Sequence, residues 1–253
     1  MDKKIETRRT EALQSLRHET SLHQILPRIC TFIHEGIRTS LAEHTLPVTI
    51  YLLRMIKCLH ENPNLDLEKH LAELLPSLIS CVITSKITND VGNDCNLRKF
   101  SAQLLADITK TFTNGVNTLQ TKVVGILETG LSDQNSSLGS KYGVVCCLLN
   151  FPPDVIEEVL LYPKRIKQLW EDSVEILGTG NSGSDDVKAA GLLKDLLTVE
   201  ESIYFDERRS LIECFVHKKA SLERKTGGIF PSNFNDYFGD GLGTLYFNIL
   251  KNF

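Results

Sequence analysis

Four groups of residues have the types needed for chemistry, and in each the spacing or the context works against it. His18-Glu19-Thr20-Ser21-Leu22-His23 resembles the zinc-protease pattern H-E-x-x-H. That pattern works because two His one turn apart share a helix face. Here the second His comes one residue late, about 140° around a helix from the first, so the pair cannot share one Zn²⁺. A capping turn is expected there. Gly178-Thr179-Gly180-Asn181-Ser182-Gly183 fits G-x-G-x-x-G. Dinucleotide binding needs a strand before that loop and a helix opening from it. The preceding stretch, Lys167 to Leu177, reads instead as an amphipathic helix, and Asp185-Asp186 would repel a pyrophosphate. The segment from Gly178 to Asp186 is therefore expected to be a loop, as is Gly239-Asp240-Gly241-Leu242-Gly243. The seven cysteines are Cys30, Cys58, Cys81, Cys95, Cys146, Cys147 and Cys214, with no C-x-x-C pair to hold zinc. Cys30, Cys58 and Cys81 lie on apolar faces and are expected in the core. No feature near any of them marks a nucleophile. Asn135-Ser136-Ser137 is a glycosylation sequon, read here as a turn. The sequence therefore predicts no catalytic residue, no metal, no cofactor and no small-molecule substrate; the chain is not expected to be an enzyme.

The elements that carry these residues are helical almost throughout. Apolar residues at Leu67, Leu71, Leu74, Leu75 and Leu78 follow i, i+4, i+7, i+8, i+11, one face of a helix. Val48, Ile50, Leu52, Leu53, Ile56 and Leu59 are expected to be buried on a second broad face. About ten or eleven helices are predicted. Breaks are expected at Glu61-Asn62-Pro63-Asn64, from Thr88 to Asp94, at Thr113-Asn114-Gly115, from Ser132 to Ser137 and at Phe151-Pro152-Pro153-Asp154. Short connections make consecutive helices antiparallel neighbours.

The chain has 253 residues, 42% hydrophobic and 24% charged, with a net charge of -4. That composition supports a large core and gives no global field for nucleic acid. Basic and aromatic residues do not interleave, so direct DNA binding is not expected. The N-terminus has no apolar signal region, and no apolar run is long enough for a membrane span. The cysteines are read as reduced, as in a cytosolic or nuclear protein. Charge is uneven, with basic excess before Ile29 and around His217-Lys218-Lys219 and Arg224-Lys225, and acid at Asp185-Asp186 and Glu200-Glu201. Such runs suit solvated helix faces or steering of partner proteins.

Two segments repeat. Leu22 to Ile33 aligns with Leu71 to Val82 at a constant offset of 49 residues, with Leu26-Pro27 matching Leu75-Pro76. Amphipathic helices share apolar spacing by chance, but seldom also a proline in the same slot. A helix bent at an internal proline and repeated at this interval predicts a HEAT-type solenoid. The second helix fits too: Arg98 and Ala102 stand one turn apart after an Asp/Asn loop, and Asp133 followed by Lys141-Tyr142-Gly143 is a looser second instance. The basic residue is expected to reach the Asp turns of neighbouring units, and Ala or Gly one turn on to allow close packing. The predicted fold is all-α, a HEAT-type α-solenoid of about five antiparallel helix pairs. Residues 1–20 form a helix leading into the array, 21–178 its core, 179–220 a loop and last helix pair, and 221–253 a less defined tail.

Residues from about 11 to 165 also resemble one family in order along the chain. Glu11-Ala12-Leu13-Gln14-Ser15-Leu16 and Leu22-His23-Gln24-Ile25-Leu26-Pro27-Arg28 look like its E-A-L-x-S-L and L-H-x-x-L-P-R/Y opening. Phe32-Ile33-His34-Glu35-Gly36-Ile37 looks like F-I-x-E-G-V, and Ile50-Tyr51-Leu52-Leu53-Arg54-Met55-Ile56-Lys57 like I-Y-L-M-R-M-V-K. Asn62-Pro63 with Leu67-Glu68-Lys69, Leu74-Leu75-Pro76 with Ser80 to Ser85, Leu119 to Lys122, Tyr142-Gly143 and Asp154-Val155-Ile156 continue the match. The family is the C-terminal HEAT region of subunit 6 of the general transcription factor TFIID, a TATA-binding-protein-associated factor. The resemblance implies a nuclear, non-catalytic scaffold subunit of a TFIID- or SAGA-type complex. Its partners would be other TATA-binding-protein-associated factors or coactivator subunits, in assembly of the RNA polymerase II preinitiation complex. Partner-contact candidates are Arg98, Lys99, Lys141 and Tyr142. The alternative is a general HEAT-repeat adaptor outside transcription. Three positions depart from the family: Cys95 replaces a Trp, Lys99 an acid and Cys147 a Gly, as expected of a divergent member or paralogue. The family's N-terminal histone fold cannot come from the few residues before Ile5, so its pairing is not carried over.

Overall fold

The computed structural model describes residues 3–115, 117–161, 165–179 and 185–197. All of them fall in the compact unit Met1–Glu200. Among them there are helices and no strand: α1 Lys3–His18, α2 Leu26–Ala42, α3 Leu46–Glu61, α4 Leu71–Ile83, α5 Val91–Phe112, α6 Leu119–Ser132, α7 Leu138–Leu148, α8 Pro153–Ile156 and α9 Arg165–Thr179. A tenth, α10, spans residues 185–197. The predicted HEAT-type, all-α architecture holds.

Helices pair as hairpins, α2 with α3, α4 with α5 and α6 with α7. The pairs stack: α1, α3, α5 and α7 pack one against the next, and α2 packs on α4. One continuous core runs through them, including Ile33, Ile37, Leu53, Ile56, Leu78 and Leu105. Burial of such stripes, about 1.5–3 kcal/mol per large side chain, is what holds a stack whose units cannot fold alone.

Local chemistry sets the ends. Asp90 caps α5 by accepting from Gly92 N at 3.1 Å, and Ser137 caps α7 by accepting from Ser140 N at 3.2 Å. The polar helix α1 is held to α3 by side-chain bonds. Tyr51 donates its hydroxyl to Glu6 at 2.7 Å, Arg9 lies 4.4 Å over the Tyr51 ring, and Arg17 pairs with Glu61. Asn62, 2% exposed, donates to Leu16 O and Glu19 O and so closes the end of α1.

Three expectations change. Pro27 does not bend a helix. It sits in the first turn of α2, after a 3₁₀ turn over Ser21–Gln24, where its missing N–H costs nothing. Only Pro76 lies inside its helix, α4, on an exposed side where water reaches the freed carbonyl. The loop expected from Thr88 to Asp94 ends at Asp90, because that cap starts α5 at once. The loop expected from Gly178 to Asp186 is shorter as well: Gly178 and Thr179 finish α9, and Asp185 and Asp186 begin α10. Residues 180–184 and everything after 197, including Cys214, the Gly239 to Gly243 run and the basic runs at 217–225, lie outside the described residues.

Candidate functional site

Arg98 is the hub of the described fold. It is 0% exposed, on α5. Its Nε donates to Asp94 Oδ1 at 2.8 Å, and Nη2 donates to Asp94 Oδ2 at 3.3 Å. Nη1 donates to Val82 O at 2.8 Å, and Nη2 also reaches Ser85 O at 3.4 Å. Val82 and Ser85 stand at the end of α4, where carbonyls lack helical partners and the helix dipole is negative. A guanidinium suits that place, because its donors fan out in one plane and its charge answers the dipole. Helix α7 closes the knot. Ser140 donates to Ile83 O and Ser137 to Ser85 O, each at 2.8 Å. Gly139 and Gly143 leave room for Arg98. A Cβ at Gly143 would lie 2.6 Å from Val82 O and 3.3 Å from Arg98 Cδ.

This corrects the role expected of Arg98. It does not reach an Asp turn of a neighbouring unit; its acid is Asp94, one turn back on its own helix. It also cannot touch a partner, since no part of it meets solvent. Tyr142, 8% exposed, is likewise core. Burial, with Cys146 accepting its hydroxyl, pushes its pKa up. Lys99 is exposed on α5 and Lys141 half-buried on α7, so these two remain available to a partner. The expected close packing through Gly143 and Ala102 is present, with Ala102 0% exposed. The i, i+4 spacing of Asp94 and Arg98 was a visible signal for the pair. The carbonyls it serves were not.

The groups with chemical types do not converge. Among the described residues no cluster of His, Cys, Asp or Glu could hold a metal. His18 ends α1, and His23 sits in the following 3₁₀ turn with Nδ1 3.3 Å from Thr20 O. The six described cysteines are buried thiols outside any disulfide. Burial pushes the thiols of Cys30 and Cys81 up to about 12 and that of Cys95 to about 11, far from a reactive thiolate. Cys147, in the family's glycine slot, faces Ala102 O with Sγ at 3.5 Å. No described helix is long and apolar enough to cross a membrane.

What the surface does offer is apolar. Ile25, the residue before α2, and Phe32 on α2 are 48% and 61% exposed, and Val48 on α3 is 49%. Periodicity could not reveal this, because core and exposed apolar residues on one helix share it.

The likeness to known proteins follows the array. The model of the TAF6 C-terminal HEAT repeat domain family matches residues 1–165. Transcription initiation factor TFIID subunit 6 of Drosophila melanogaster is 39% identical over 195 residues, covering 76% of this chain and 32% of the fly protein. The SAGA complex/transcription factor TFIID complex subunit Taf6 of Schizosaccharomyces pombe is 30% identical over 157 residues, 61% of this chain and 34% of its own. The chain thus spans about a third of the length of these relatives. Among solved structures, the TAF6 C-terminal domain from Antonospora locustae aligns with a TM-score of 0.57 at 26% identity, over 75% of this chain and 87% of that one. With the family match covering most of the stacked helices and the same fold in a solved relative, the chain belongs to the TAF6 C-terminal HEAT repeat domain family.

Proposed function

We propose that this chain is a non-catalytic scaffold in a TFIID- or SAGA-type transcription complex, acting in the nucleus. It holds partner subunits together during assembly of the RNA polymerase II preinitiation complex. Residues 21–178 carry this role, with 1–20 leading into them. The observation that carries the reading is the collinear family match over residues 1–165, in relatives whose names place them in TFIID and, for the yeast protein, in SAGA as well. The distribution of polar groups supports it: Arg98, Asp94 and the described thiols are spent inside the stack, and the candidate contacts left outside are Lys99 and Lys141. A solenoid offers long edges for such binding. The test is affinity purification of the tagged chain from nuclear extract with mass spectrometry. Recovery of other TATA-binding-protein-associated factors or coactivator subunits is expected. Stable complexes containing none of them would refute the reading and favour a general adaptor.

A further inference from the structure

One flank of α2, together with its N-cap residue Ile25, carries apolar side chains in water. Ile25 and Phe32 are 48% and 61% exposed, and Arg28 and Glu35 are exposed between and beyond them. The spacing i, i+3, i+7, i+10 puts all four in one stripe. The internal repeat indicates what belongs on it. Forty-nine residues on, Ile25, Arg28 and Phe32 become Leu74, Ser77 and Cys81 on α4, which are 0%, 3% and 0% exposed. That flank of α4 is where α2 itself seats. Thr31 donates to Glu73 Oε2 at 3.2 Å, and His34 Nδ1 lies 2.9 Å from Ser77 Oγ. A helix seated on α2 as α2 is seated on α4 would cross Arg28 and lie over Ile25 and Phe32.

A second copy of this chain cannot supply that helix in the same way. The side of α2 that does the seating is already engaged with α4 through Thr31 and His34. We propose that the outer flank of α2 docks one amphipathic helix of a partner subunit. That helix lays apolar residues at i, i+3 or i+4, and i+7 on Ile25 and Phe32 and brings a carboxylate to Arg28. The proposal rests on the scaffold reading and names the surface it uses.

The test places a photocrosslinking benzoylphenylalanine at Phe32 in the full chain, in nuclear extract. The expected adduct is a peptide of a TATA-binding-protein-associated factor or coactivator subunit with that apolar spacing and an Asp or Glu within one turn. A synthetic peptide of that sequence should bind the chain, and Phe32→Asp and Arg28→Glu should each weaken it at least about tenfold with unfolding midpoints unchanged. An adduct with a second copy, an adduct lacking the pattern, no adduct in chain that has entered the assembly, or equal binding by the variants would each overturn the proposal. Failure of the chain to enter any such assembly is a separate result, which removes the scaffold reading on which the proposal stands.

Discussion

Arg98 and Asp94 form a buried ion pair, Nε to Oδ1 at 2.8 Å, one turn apart on α5 and shut between α4 and α7. A buried pair adds little over an apolar substitute, but breaking it is costly, because the survivor keeps its desolvation penalty. Arg98→Ala leaves Asp94 and the Val82 carbonyl without their donor, while Ser85 O keeps its bond from Ser137. We expect a loss of about 3–5 kcal/mol in urea unfolding followed by circular dichroism. Arg98→Lys keeps the charge and loses the fork, so it should fall between wild type and Arg98→Ala. Equal stability of all three would show that the knot contributes nothing.

Gly143 gives a sharper steric case. A methyl there meets a backbone oxygen at 2.6 Å, which cannot rotate away. Gly143→Ala should cost about 1–3 kcal/mol despite the better helix propensity of Ala. Gly125→Ala, at an exposed position of α6 with nothing within 4 Å of its added carbon, should gain up to about 1 kcal/mol. The two opposite signs can be read in one set of thermal melts.

His60 makes stability depend on pH. Burial lowers its pKa below the usual 6.5, against opposing pulls from Asp107 and Glu61, and its ring packs 5.9 Å from that of Phe112. The unfolded chain therefore takes up this proton first. Its contribution is complete above about pH 6.5, shrinks as pH falls below that value and levels off below the folded pKa. The slope of the urea midpoint between pH 7.5 and 5.5 should be steeper in wild type than in His60→Gln. Equal slopes would remove His60 as a cause.

The buried thiols should be inert while the chain is folded. Alkylation at pH 8 followed by peptide mapping should leave Cys30, Cys81, Cys95 and Cys147 unmodified in buffer and modify all four in urea. Labelling of any of them in the native chain would show local opening of the core.

Much of this fold was legible in the sequence. Apolar spacing marked the helices, the 49-residue offset marked the stacking of α2 and α4, and Arg98 with Ala102 marked the second helix of a unit. What stayed hidden has physical causes. An arginine is ordinarily a surface residue, and nothing in its neighbours says that it caps the carbonyl end of a different helix. Pro27 and Pro76 share a slot in the alignment. One begins a helix and the other interrupts one, because α2 starts at Leu26, just before its proline, whereas α4 already starts at Leu71, five residues before Pro76. Ile25 and Leu74 are equivalent in pattern, and only the neighbour seated on α4 makes one core and the other surface.

We propose that this chain works as part of a large transcription assembly. The most direct test is the size distribution of the native protein in nuclear extract on a density gradient, followed by antibody. The chain is expected to sediment with other TATA-binding-protein-associated factors or coactivator subunits, and to be removed when an antibody to one of them depletes that fraction. Sedimentation apart from all of them, unchanged by such depletion, would contradict it.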